Sequence, residues 1–175
     1  MTIRDTICGE LVCLGPLTVE DAPAWERWMA DPETTRYLYA PGERPKQPQT
    51  EDALRDWGRT MLADPHRIVF GLREREGGTS IGDSRLAPGP GHGRARFSIM
   101  IGDRRFRGIG IGTQATALVC RYGFEELGLE EIQLEVDPEN EPAVRAYAAV
   151  GFVPTRRRMM RLRRGDLVAS PAPRQ

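Results

Sequence analysis

A single stretch, residues 97–113 (FSIMIGDRRFRGIGIGT), limits what this chain can fold into. Its apolar start, residues 97–101, reads as a buried strand. A basic turn follows, and glycine then recurs at alternate positions, Gly108, Gly110 and Gly112, directly before an amphipathic helical pattern. A strand that empties through a glycine-rich turn into a helix N-terminus is suited to holding phosphate. Glycine lets the backbone come close to the ligand. The free amides of the first helical turn, at the positive end of the helix dipole, face the anion.

The flanking sequence sets this unit in a mixed fold. Residues 1–8 read as loose, and residues 10–17 (ELVCLGPL) as a first strand. Thr18 and Asp21 form a capping-box-like start, with Asp in place of the usual Glu. Trp25, Trp28 and Met29 then share a helix face that Asp31-Pro32 ends. Residues 40–49 (APGERPKQPQ) read as a loop. Thr50 caps a second helix with apolar positions Leu54, Trp57, Met61 and Leu62. Ile68, Phe70 and Leu72 alternate along a strand over residues 67–73, and Gly77-Gly78 turns it into another over residues 80–86. After the glycine turn, Ala115, Leu118, Val119 and Tyr122 mark a helix face that ends at Gly128. Ile132, Leu134 and Val136 alternate along the next strand. A helix over residues 141–150 closes at Gly151, and Phe152 begins another strand. The basic run over residues 156–164 reads as strand and turn at the sheet edge.

Antiparallel strands first and a β-α-β unit second predict an α/β (α+β) fold with a mixed central sheet of six to seven strands and flanking helices. The expected layout is one domain over residues 1–169 and a disordered tail over residues 170–175. With 25 basic and 25 acidic residues the formal net charge is zero, which argues against a general nucleic-acid binder. No apolar run approaches membrane-spanning length and no signal-peptide h-region is present, so the expected setting is cytoplasmic, away from a membrane. Cys8, Cys13 and Cys120 form an odd set without C-x-x-C spacing. They predict neither structural zinc, nor any metal site, nor a disulfide framework.

The glycine spacing alone leaves several readings. A dinucleotide fingerprint, G-x-G-x-x-G, is met by Gly108 and Gly110, but Thr113 stands at its third position. A P-loop needs Lys directly before Ser or Thr, and none is present. A tight turn without a ligand also satisfies the pattern.

Arg105-Phe106-Arg107-Gly108-Ile109-Gly110 resembles the [Q/R]-x-x-G-x-[G/A] signature of the GNAT N-acetyltransferase superfamily. Asn140, Ala143, Tyr147 and Gly151-Phe152 match that family's N-x-x-[S/A]-x-x-x-Y-x-x-x-G-F pattern downstream. The resemblance covers residues 11–164. Phrases such as IMIGDRRFRGIGIGTQA and RYGFEELGL are similar to the branch holding ribosomal-protein N-terminal, polyamine and aminoglycoside acetyltransferases. It implies a GNAT-like fold and transfer of an acetyl group from acetyl-coenzyme A directly to a primary amine, with no metal and with a homodimer admitted. The acceptors it admits are a peptide N-terminus, a polyamine, an aminosugar or another small amine.

The resemblance also implies roles residue by residue. Gly108, Ile109, Gly110, Gly112 and Thr113 would cradle the pyrophosphate, with charge from Arg107. Backbone amides of Ile99, Met100 and Ile101 would face the pantetheine arm and the thioester carbonyl. Asn140 would pair with the pantetheine amides while also serving as a helix N-cap. Tyr147, seven residues on and thus on the same side of the helix, would bind beside the thioester and protonate the departing thiolate as the catalytic acid. Cys120 reads as packing. The family's strand carboxylate is replaced here by Arg96, Phe97, Ser98 and Ile99. Asp83, Glu33 and Glu135 are therefore candidate bases that otherwise read as solvated acids. That missing carboxylate also motivates a second reading, a non-catalytic acyl-coenzyme A binding or sensing module on the same fold. The acceptor site is expected within residues 31–64, from Asp31, Glu33, Glu43, Glu51, Asp52 and Asp56 with Tyr37 and Tyr39.

Overall fold

A computed structural model describes residues 5–38, 50–156 and 158–168. The chain opens with two short strands, β1 (Ile7–Cys8) and β2 (Val12–Pro16). A 3-10 turn leads into α1 (Ala22–Ala30), followed by the one-turn α2 (Pro32–Thr35) and by α3 (Glu51–Ala63). Three strands come next: β3 (Ile68–Glu74), β4 (Ser80–Pro88) and β5 (Arg94–Ile101). Then α4 (Ile111–Glu125), β6 (Glu131–Glu135), α5 (Glu141–Val150), β7 (Val153–Arg156) and β8 (Met159–Arg163) complete the order.

The eight strands of the described residues join one sheet in the order β1-β2-β3-β4-β5-β6-β8-β7. The mixed α/β class is as expected, but the sheet is wider than six to seven strands. The residues expected to be loose supply β1, which pairs with β2. The basic run lies differently too. Strand β8 inserts between β6 and β7, so β7 is the edge and β8 is interior. The reason is hydrophobic: Met160 and Leu162 alternate along β8 and are both buried.

Two cores sandwich the sheet. Leu14, Phe70, Leu72, Phe97, Phe124 and Ile132 belong to the larger, which α4 and α5 cover. Leu17, Trp25, Trp28, Leu54, Val69 and Met100 form the other, under α1 and α3. Strand β3 is therefore buried on both faces: Phe70 and Leu72 turn to one core and Val69 to the other. Each such side chain contributes roughly 1.5–3 kcal/mol of burial. At the start of α1, Asp21 accepts the Thr18 N–H at 3.1 Å, and Arg73 reaches Asp21 Oδ1 at 3.1 Å. The cap predicted from sequence is thus extended by an ion pair from β3.

The cysteine expectation is corrected. Cys8 and Cys13 are directly opposed in the β1–β2 register and form a disulfide, with Cα atoms 4.1 Å apart. An odd cysteine count does not exclude one local bridge when a hairpin sets two cysteines face to face. Cys120 is free and buried, as expected. Among the described residues no helix is long and apolar enough to cross a membrane.

Candidate active site

The site is built on the side of β5 that β6 leaves open. Strand β5 pairs with β4 from Ala95 to Ile101, but its parallel pairing with β6 stops at Arg96↔Gln133. Beyond that rung the two strands separate. Backbone direction alternates along a strand. Ser98 O accepts Ser84 Oγ at 2.9 Å, and a Cβ at Gly82 of β4 would overlap Met100 O, so these two carbonyls face β4. Alternation then turns Ile99 and Ile101 toward the gap. Met100 instead sends its side chain into the core beneath α1. Of the three strand residues expected to face a coenzyme, Ile99 and Ile101 present backbone groups to the open side and Met100 does not.

The glycine turn follows at once. Gly108 and Gly110 have φ of +78° and +94°, left-handed values that other residues adopt at a cost. Gly110 is the N-cap of α4 and offers no side-chain cap. As a result the N–H groups of Gly108, Ile109, Gly110, Ile111, Gly112 and Thr113 have no hydrogen-bond acceptor among the described residues. The loop is open: Gly108 is exposed, and Ile109 at its tip is 55% exposed despite being apolar. Gly112 lies against the end of β5, where a Cβ would sit 3.8 Å from Ile101 Cγ1.

Arg107 takes a structural place. Its Nε donates to Ile101 O at 2.9 Å, and its Nη2 donates to Thr34 Oγ1 at 2.6 Å and to Gly102 O at 3.1 Å. Three protein acceptors thus hold the guanidinium, and burial lowers its pKa from the usual value. Only Nη1 is left for a ligand. Arg105 turns back to pair with Asp103 at 2.7 Å, and that hydrogen bond holds the Asp103 carboxyl below the ordinary carboxylate range.

Helix α5 brings the downstream motif to the same strand. Asn140 is its N-cap, with Oδ1 accepting the Ala143 N–H at 3.3 Å. The Asn140 side-chain amide N–H groups have no partner among the described residues. Two turns on, the Tyr147 ring packs against Phe97 of β5 and Phe152. Burial pushes its phenol up to about 12, so the hydroxyl is protonated at neutral pH. That hydroxyl has no hydrogen-bond partner among the described residues and is not sealed from solvent.

The candidate bases separate clearly. Asp83, read from sequence as a solvated acid, is 2% exposed, and its Oδ1 accepts Arg85 Nε at 3.1 Å. Glu33 is exposed on α2. Glu135 lines a cavity of about 320 Å³ where β5 and β6 diverge. Three of the acids expected at the acceptor site have partners of their own. Asp31 caps α2 and binds Thr34, Glu51 pairs with Arg55, and Asp56 pairs with Arg59. Tyr37 donates to Glu139 O at 3.2 Å, beside Asn140. Tyr39, Glu43 and the loop over residues 40–49 lie outside the described residues, as does the tail from residue 170. Among the described residues no cluster of His, Cys, Asp and Glu could hold a metal ion.

A model of the acetyltransferase (GNAT) domain matches residues 12–153. The chain belongs to the GNAT acetyltransferase family. It is 28% identical over 155 residues to a mouse alpha/beta-tubulin-N-acetyltransferase 9, covering 83% of this chain and 63% of the relative. Over 61 residues it is 43% identical to the spermidine N(1)-acetyltransferase of Escherichia coli K12, covering 35% of this chain and 32% of that one. It therefore spans less than two thirds of the length of either relative. The structure of Mycobacterium smegmatis RimJ in complex with CoA-disulfide superposes with a TM-score of 0.78 at 23% identity, covering 95% of this chain and 91% of that one. At that identity the match speaks for the fold.

The most telling feature that sequence reasoning missed is Gln114. It lies outside the apolar face marked by Ala115, Leu118, Val119 and Tyr122, yet its Oε1 accepts both Leu11 N–H at 2.7 Å and Val12 N–H at 3.2 Å. The β1–β2 hairpin is thereby tied to the first turn of α4. No local signal marks a contact across 102 or 103 residues.

Proposed function

We propose that this chain is an N-acetyltransferase that moves an acetyl group from acetyl-coenzyme A to a primary amine by direct attack. The observation that carries the reading is the run of six N–H groups, Gly108 to Thr113, unclaimed among the described residues, from the exposed glycine turn into the first turn of α4 and against the open side of β5. A cradle of that kind fits a pyrophosphate. The names of the relatives, acetyltransferases of tubulin and of spermidine, support amine acetylation.

Acetyl-coenzyme A would supply an acetyl group on a thioester. The chain's own residues would do the rest. The loop amides and Arg107 Nη1 would hold the diphosphate. The backbone of Ile99 and Ile101, with the free amide of Asn140, would pair with the pantetheine arm and fix its depth in the gap. An amide on that strand would also serve the thioester oxygen as negative charge grows there. As the new N–C bond forms and the C–S bond breaks, the Tyr147 hydroxyl would give its proton to the departing sulfur. The proton lost by the amine would go to Glu135, the carboxylate lining the cavity, directly or through water.

Calorimetry with acetyl-coenzyme A and an amine panel read by free thiol test this. Binding in the tens of micromolar or tighter, with thiol release on at least one amine, is expected. Absence of binding would end the reading. Binding without thiol release on any amine would favour the non-catalytic module, which the lack of a carboxylate at Arg96 to Ile99 first suggested.

A further inference from the structure

On the face of the sheet opposite α4, the separation of β5 from β6 opens the cavity of about 320 Å³. Its walls carry Arg67, Arg85, Arg96, Ser98, Glu135 and Met159. Arg96 stands on the last rung that β5 and β6 share, opposite Gln133. Glu135 follows Gln133 by two residues, so the pleat sets it on the same face, one step further into the gap.

The guanidiniums are held in different ways. Arg85 is fixed from behind: Asp83 accepts its Nε at 3.1 Å, and the Trp57 ring lies 5.4 Å from its guanidinium carbon. Arg67 stands in an ion pair with Asp64 at 3.7 Å. Arg96 is exposed and has no ion pair among the described residues. The cavity therefore offers one carboxylate at the gap and, beside it, the fixed Arg85, ion-paired with Asp83, and Arg96, which has no ion pair among the described residues. An ammonium alone would find a single partner there and face repulsion from Arg96. A polyamine would multiply that repulsion. A molecule that carries both an ammonium and a nearby carboxylate would satisfy both sides of the wall.

We propose that the acceptor is an amine with a carboxylate close beside it, received with its nitrogen toward Glu135 and its carboxylate on Arg96 and Arg85. This deepens the acetyltransferase reading and rests on it. Two sources present that chemistry: the N-terminus of an acidic peptide and a free amino acid.

The test compares acceptors that differ in that carboxylate: a peptide with Glu and Asp at its second and third positions against its Gln and Asn isostere, free alanine against alaninamide, and spermidine. The acidic member of at least one pair should exceed its amide partner in kcat/KM by about tenfold or more, as a charged hydrogen bond would give. The pair that shows the preference identifies the source. Arg96→Gln should bring that ratio close to one while the Kd for acetyl-coenzyme A stays within about twofold. Spermidine or the amide isosteres matching the acidic acceptors would overturn the proposal, as would a ratio that Arg96→Gln leaves intact. A readout free of turnover is tryptophan fluorescence, since Trp57 stacks on Arg85. In the acetyl-coenzyme A loaded chain, an acidic peptide that binds no tighter than its amide isostere would also overturn it. Failure to bind acetyl-coenzyme A would count against the acetyltransferase reading instead, whether or not the acidic peptide binds selectively.

Discussion

The Tyr147 ring meets Phe97 edge to face, with centroids 6.2 Å apart and planes at 89°. Phe97 is the first residue of β5 beyond the last rung shared with β6. This contact therefore fixes a helix-borne phenol beside the point where the sheet opens, and Phe152, with its centroid 5.9 Å from that of Tyr147, braces the ring on another side.

Because the ring is held by aromatic contacts and the hydroxyl by none, Tyr147→Phe removes one group and keeps the packing. Turnover should fall by about 100-fold, the scale of lost general-acid catalysis. The Kd for acetyl-coenzyme A should stay within about threefold. Stopped-flow thiol release and calorimetry separate the two quantities. An unchanged rate would remove Tyr147 as the acid.

Burial of Tyr147 also couples stability to alkaline pH. Its pKa, about 12 in the fold, stands above the ordinary value of about 10. Below pH 10 both folded and unfolded chains hold the proton, and the contribution is fully present. As pH rises from about 10 to about 12 the unfolded chain loses the proton while the folded chain keeps it. Stability should then decline by up to about 3 kcal/mol. Urea unfolding at stepped pH should show this loss, and Tyr147→Phe should flatten it. A Tyr147→Phe profile as steep as the parent's would contradict the assignment. Cys120 and Tyr122, both raised by burial, should supply the residual slope.

The glycine turn makes a separable prediction. A methyl at Gly108 meets nothing within 4 Å, so Gly108→Ala introduces backbone strain without collision. It should lower stability by about 1–2 kcal/mol, the penalty of a left-handed non-glycine residue. It should also weaken acetyl-coenzyme A binding by about tenfold through displaced amides. Binding unchanged by calorimetry would take the loop out of coenzyme recognition.

Arg107 is expected to act on the fold first. A lysine at that position cannot serve Ile101 O, Gly102 O and Thr34 Oγ1 from one fork. Arg107→Lys should lower stability by about 1–3 kcal/mol, since buried acceptors are left unpaired. Thermal unfolding without ligand measures it. An unchanged melting temperature together with weaker coenzyme binding would leave Arg107 as a phosphate ligand without the structural role.

The cysteines can be counted directly. Thiol titration of the unfolded, unreduced protein should find one thiol, Cys120, and three after reduction. Opening the short Cys8–Cys13 loop should lower stability by about 2 kcal/mol. Three thiols before reduction would show the bridge to be open.

Much of this architecture was written locally. The caps at Thr18 and Asn140, the left-handed glycines at 110 and 151, and the alternation of Ile132, Leu134 and Val136 each depend on neighbours a few residues away, and each is in place. The paired motifs around Gly108 and Tyr147 belong to the same class: short spacings with a direct geometric meaning. Their family reading agrees with the match over residues 12–153.

Tertiary structure decided what depends on distant partners. No spacing in the sequence shows that Asp83 is buried under Arg85, that Arg107 spans three acceptors, or that Gln114 binds the β1–β2 hairpin. Nor could it show β8 inserting ahead of β7, since strand order follows from which buried faces fit together. The arginine-lined cavity has the same origin. Arg67, Arg85, Arg96 and Glu135 come from four different strands or their flanks and meet only where β5 and β6 part. Local periodicity fixes which face a side chain takes. The charge of a cavity is a sum over neighbours that only the folded sheet brings together.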